Sequence, residues 1–103
     1  MSFDATLSLT GEVATIELKG ELDASTASRF HDLIEDAAGA GALRLDIHVR
    51  LLTYLSSAGL RSLVFARQKM GDEVRISVVG ATEPVSRTIR LAGFDHSIDL
   101  IDA

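Results

Sequence analysis

Phe3, Ala5, Leu7 and Leu9 alternate with Asp4, Thr6, Ser8 and Thr10, and a period of two marks a strand with one buried face. After Thr10-Gly11 the alternation resumes, with Ala14, Ile16 and Leu18 set against Thr15, Glu17 and Lys19. The two runs predict an antiparallel hairpin turned at Thr10-Gly11 and ended by Gly20. From Asp23 the period lengthens. Ala27, Phe30, Leu33, Ile34, Ala37 and Ala38 fall on one helical face, with Arg29, Asp32, Glu35 and Asp36 opposite. Asp23 or Ser25 is expected to cap this helix, and the glycines of Gly39-Ala40-Gly41 to stop it.

The cleanest strand pattern comes next: Leu43, Leu45, Ile47, Val49 and Leu51 alternate with Arg44, Asp46, His48 and Arg50. Residues 43–49 are therefore the expected central strand, with Leu45 and Ile47 buried. Beyond Ser56 and Ser57, the spacing of Leu60, Leu63, Val64 and Met70 predicts a second amphipathic helix closed by Gly71. Val74, Ile76 and Val78 read as a further strand ended by Gly80. Thr82 is the expected cap of a third helix, with Pro84 in its first turn, where a missing N–H costs nothing. Val85, Thr88, Ile89 and Ala92 would form that helix's buried stripe, and Gly93 its end. Ile98 and Leu100 indicate a short last strand. The order β-β-α-β-α-β-α, with a final β, implies an α/β fold: one mixed sheet with helices packed on it through right-handed crossovers.

Composition narrows the function. The chain has 103 residues, 47% of them hydrophobic, enough for a single domain over 1–103 with one modest core. Its net charge is −5 and its lysines and arginines are scattered, which argues against nucleic acid, because phosphate backbones select clustered cations. The same balance argues against an anionic membrane surface. No apolar run is long enough to span a bilayer, and the opening MSFDATLSL has no basic or apolar leader segment. The chain contains no cysteine, so disulfides, thiolate metal sites and thiol catalysis are excluded. A cytoplasmic domain is expected.

Candidate chemistry is sparse. Strand, serine-bearing turn and helix share the outline of a nucleophile elbow, but that motif is G-x-S-x-G and Ser57 sits in L-S-S-A-G. His31, His48 and His96 fall in three different elements, without the close spacing of a metal-ligand pair, and read as solvated surface histidines. The G-x-G at residues 39–41 ends a helix instead of opening one, so it is no phosphate loop. No enzyme, no cofactor and no metal site are expected. What stands out is Ser56-Ser57, two hydroxyls where a helix N-terminus needs one. Ser56 suits an N-cap and Ser57 an ordinary first-turn position. Alternatively, one caps while the other is displayed.

The stretches GELDASTASRF at 20–30, LRLDI at 43–47, YLSSAGLRSL at 54–63 and VRISVVGATEPVSRTIRLAGF at 74–94, in that order, resemble a STAS domain. The resemblance runs over essentially the whole chain and is nearer to the free-standing anti-sigma-factor antagonists than to sulphate-transporter tails. It implies a β-β-α-β-α-β-α sheet with helices on one side. It also implies partner switching, in which a kinase-type anti-sigma factor, a histidine-kinase-like ATPase, phosphorylates a serine at the start of the second helix and a serine phosphatase reverses this. Matching Tyr54, Leu55, Gly59 and Leu60 to the family motif places the acceptor at Ser57, with Ser56 as second choice. Ser56 stands where the family usually has aspartate, and Ala58 where it has a second hydroxyl. The expected partner surface comprises Asp23, Ser56, Ser57, Gly59 and Arg61. The alternative role is that of a STAS accessory subunit to the ATPase of a membrane lipid transporter.

Overall fold

A computed structural model describes residues 3–102. Strand β1 (Asp4–Thr10) and strand β2 (Val13–Leu22) form the predicted antiparallel hairpin. Its loop is Gly11 and Glu12, and Gly11 takes a φ of +60°, a left-handed value that costs glycine little. Helix α1 (Ala27–Gly39), strand β3 (Arg44–Leu55), helix α2 (Ser57–Met70), strand β4 (Arg75–Val79) and helix α3 (Glu83–Leu91) follow. A 3-10 turn at Phe94–His96 leads into a short strand β5 (Asp99–Ile101). The sheet order is β1-β2-β3-β4-β5, with β2 to β5 parallel. β3 is thus the middle strand, as expected, and Leu45 and Ile47 are fully buried.

Because each crossover steps in the same direction along the sheet, crossovers of one hand place all three helices on one face. Burial agrees with this. Ala14, Ile16 and Leu18 of β2, Leu45 and Ile47 of β3, and Ile76 and Val78 of β4 share a face by register, and they cluster with Phe30 and Ile34 of α1, Leu63 of α2, and Val85 and Ile89 of α3. The other face is polar. Across it run Thr15, Asp46, Ser77 and Asp99 in register, braced by Arg44–Asp46 and Arg75–Asp99 ion pairs of 2.9 Å each.

The details that govern the site depart from simple alternation. Gly20 does not end β2; it takes a φ of +93° within the strand, which runs on to Leu22. Between the pairs Glu17–His48 and Lys19–Leu51, β2 advances two residues and β3 three; between Gly20–Leu52 and Glu21–Tyr54, β2 advances one and β3 two. Each extra residue is a local bulge, and a one-residue slip turns the following side chains to the other face. Leu51 is therefore 51% exposed and Leu52 buried, the reverse of the alternation pattern. Leu43, just before the strand, is also exposed.

Helix ends and faces need similar corrections. Neither Asp23 nor Ser25 caps α1. Thr26 holds the N-cap position without a side-chain cap bond, and the Asp23 carbonyl accepts from the N–H groups of Thr26 and Ala27. Thr82 precedes α3, yet its hydroxyl is buried without a partner among the described residues. Val64 and Ala92 are exposed, whereas Ser62 of α2 is buried. His31 is no free surface histidine. Its ring stacks on Phe65 at 4.3 Å between centroids, and Nε2 lies 2.9 Å from Ser62 Oγ, joining α1 to α2.

Candidate functional site

The two bulges cancel. Parity lost after Val49 is recovered by Leu55, so β2 and β3 end side by side at Leu22 and Leu55, both buried. The Ser56 N–H donates to the Leu22 carbonyl at 3.0 Å, extending the ladder one step past the strand. Asp23 and Ser56, the next residues of the two strands, are thereby placed at the same end of the sheet.

Ser56 then turns the chain into α2. Its backbone is extended (φ −84°, ψ 175°), its Oγ accepts from the Gly59 N–H at 3.1 Å, and its carbonyl accepts from the Leu60 N–H at 2.8 Å. That is a complete N-cap, and it occupies the Ser56 hydroxyl. Ser57, the first helical residue, is exposed, and its hydroxyl engages no other described residue. The cap and the displayed hydroxyl are two different serines.

Gly59 explains how the helix can start so close to the sheet. A Cβ there would lie 2.6 Å from the Leu22 carbonyl oxygen and 2.8 Å from Leu55 Cδ1. Gly59 is buried, and its lack of a side chain lets α2 approach β2. Arg61 lies on the next turn of α2 and is exposed.

Asp23 sits in a compact loop built by its own carboxylate. Its Oδ1 accepts from the Ser25 hydroxyl at 2.7 Å and the Ser25 N–H at 2.9 Å. The Thr26 hydroxyl accepts the Asp23 N–H at 3.0 Å and donates to the Glu21 carbonyl at 2.9 Å, anchoring the loop to β2. The Ser25 hydroxyl holds the Asp23 carboxyl below its ordinary value of 3.8; partial desolvation opposes this, and backbone N–H groups add to it. Asp23, Ser25, Tyr54, Ser56 and Ser57 line one open groove of about 620 Å³. Of the expected residues, the groove brings together Asp23, Ser56 and Ser57, and its lining includes neither Gly59 nor Arg61.

Four lining residues lie outside the expected surface: Ala24, Ser25, Tyr54 and Ala58. The sequence marks Ser25 as a candidate cap and Tyr54 as a motif position; Tyr54 is 52% exposed and lines the groove. Its even position in the β3 alternation was a usable signal, since it keeps the polar-facing parity of Arg44 and Asp46.

Among the described residues no helix is long and apolar enough to cross a membrane. Residues 5–102 match the family described as Mlab, STAS domain. The chain is 30% identical over 88 residues to the anti-sigma-F factor antagonist RsfB of Mycobacterium tuberculosis strain H37Rv, covering 85% of this chain and 72% of that protein. It superposes with a TM-score of 0.88 on the crystal structure of an anti-sigma factor antagonist from Mycobacterium paratuberculosis, at 26% identity over 97% of this chain and 86% of that one. The Bacillus cell fate determinant SpoIIAA in its phosphorylated form gives a TM-score of 0.75 over 99% of this chain and 91% of its own. At 19% identity that likeness speaks for the fold alone. With the sequence match spanning nearly every residue and the sheet, its three helices and their order shared, the chain belongs to the STAS domain family.

Proposed function

We propose that this chain is a cytoplasmic anti-sigma factor antagonist that works by partner switching. Unmodified, it binds a kinase-type anti-sigma factor over the groove formed by Asp23, Tyr54, Ser56 and Ser57. The partner, a histidine-kinase-like ATPase, then transfers the γ-phosphoryl group of ATP to Ser57 Oγ; the hydroxyl proton is lost, ADP departs and the complex dissociates. A serine phosphatase restores the hydroxyl by hydrolysis, releasing inorganic phosphate. The chain supplies a surface and no catalysis of its own.

The observation that carries the reading is the division of labour between the serines: Ser56 is engaged by the Gly59 N–H, while Ser57 is exposed and unengaged. Physical chemistry supports it. A helix N-terminus carries roughly half a positive elementary charge, so a phosphate there is tolerated by the fold. The groove, by contrast, would gain about −1.5 to −2 charges, next to a carboxylate already held ionised at Asp23. A partner presenting carboxylates is repelled by both.

The relatives whose names include antagonism of anti-sigma factors favour this reading over that of a transporter accessory subunit. Co-expression with the kinase-type anti-sigma factors of the same genome should yield a stoichiometric complex with one of them. Recovery with a membrane transporter's ATPase alone would reverse the choice.

A further inference from the structure

Ser57 and Arg61 stand four residues apart on α2, and both are exposed. Side chains at this spacing are neighbours on the helix surface, with Cβ atoms roughly 5–6 Å apart. Six of the chain's ten lysines and arginines have protein partners among the described residues, and Arg61, like Arg50, Lys69 and Arg87, has none. Only Arg61 stands one helical turn from Ser57. Lys19, Arg29, Arg44 and Arg75 are ion-paired, and Arg67 and Arg90 donate to protein oxygens. Arg61 makes no ion pair and no hydrogen bond among the described residues. The three residues between Ser57 and Arg61 offer nothing that competes, since Ala58, Gly59 and Leu60 have no polar side-chain atom.

We propose that Arg61 is the second half of the switch: phosphate on Ser57 captures its guanidinium and withdraws it from the partner. The proposal rests on the reading that Ser57 is the modified residue, and it adds the mechanism of release. In the unmodified chain, Arg61 is an unpaired cation one helical turn from Ser57 on an acidic protein, free to meet a carboxylate of the anti-sigma factor. A phosphoserine supplies three acceptor oxygens and about −1.5 to −2 charges. The planar fork of arginine matches such a group bidentately, which the point charge of a lysine does not. The direction is also the favourable one, with the anion N-terminal to the cation at this spacing. One modification thus does two things to the docking face: it installs an anion and it removes a cation.

The pairing can be tested without the cellular kinase. Phosphoserine is installed at position 57 by genetic encoding, in the wild-type background and with Arg61→Ala, and the phosphate is titrated by phosphorus NMR. The expected result is a second phosphate ionisation at lower pH with arginine at 61 than with alanine, an Arg61→Lys variant falling between them, and a difference that shrinks in 1 M salt. Coincident curves for the wild type and Arg61→Ala would overturn the proposal. Arg61→Ala should also weaken the unmodified chain's binding to the anti-sigma factor by about threefold, the scale of one exposed ion pair. Unchanged affinity would equally count against it. Failure of the underlying reading looks different: the titration curves would still separate, but the phosphorylated chain would bind the anti-sigma factor as well as the unmodified one.

Discussion

At the scale of single residues, Ser56 and Ser57 differ only by one step along the chain, yet that step carries one hydroxyl into the backbone and the other into solvent. Ser56→Ala should cost about 1 kcal/mol of stability, the usual loss on removing an N-cap. Ser57→Ala should stay within about 0.5 kcal/mol of wild type, as exposed substitutions do. Urea unfolding of both variants checks the contrast, and an equal loss in the two would show that the cap is misassigned. Gly59→Ala is expected to be worse than either. Its new methyl group would press on a carbonyl oxygen and a buried leucine, and overpacking of this kind costs about 1–3 kcal/mol. Asp23 makes a pH prediction. Its carboxyl is held below the ordinary 3.8, chiefly by the Ser25 hydroxyl, so the folded state keeps it ionised where the unfolded chain would protonate it. Its contribution to stability is complete above that value and is lost as pH falls through the lowered one. A carboxyl NMR titration should place Asp23 below 3.8, and Ser25→Ala should move it upward; no movement would mean that Ser25 does not hold the charge.

At the scale of elements, the hairpin, the three helices and the central strand were legible because alternation and helical periodicity coincided with burial. Leu45, Ile47 and Val49 read correctly for that reason. Leu51 and Leu52 did not, because a bulge changes parity without changing composition, and Gly20 looked like a terminator when it is a kink inside β2. The expected cap of α1 does not form, because the Asp23 carbonyl and not a side chain receives its first N–H groups. Thr82, by contrast, holds the expected N-cap position of α3 without a side-chain bond. The groove was partly legible: Asp23, Ser56 and Ser57 were placed by motif, while its Ser25 and Tyr54 walls depended on how the two strand ends meet. A residue with no periodic signature holds the far end of α2. Arg67 donates to the carbonyls of Gly71 and Val74 at 3.0 and 2.7 Å and to that of Ser97 at 2.8 Å. It ties the helix end to the start of β4 and to the turn before β5. Arg67→Ala should lose about 2 kcal/mol, because hydrogen bonds to charged groups contribute more than neutral ones. Thermal unfolding that leaves the midpoint unchanged would refute that role.

At the scale of the whole molecule, core and signal are kept apart. The three helices cover one face of the sheet and the core lies between, while the groove occupies the rim where the parallel strands end, the place where open α/β sheets generally offer their sites. Ser57 is exposed, so a charge added there leaves the buried core alone, and the proposed switch can change without the fold. The decisive measurement is the position and consequence of that charge. Purified chain, the kinase-type anti-sigma factor proposed as its partner and ATP are combined, the modified residue is mapped by mass spectrometry, and affinity is measured for the unmodified and phosphorylated forms. One phosphate is expected, on Ser57, with binding weakened on the order of a hundredfold, which corresponds to about 2.8 kcal/mol. A phosphate on Ser56, or equal affinity of the two forms, would contradict partner switching at Ser57.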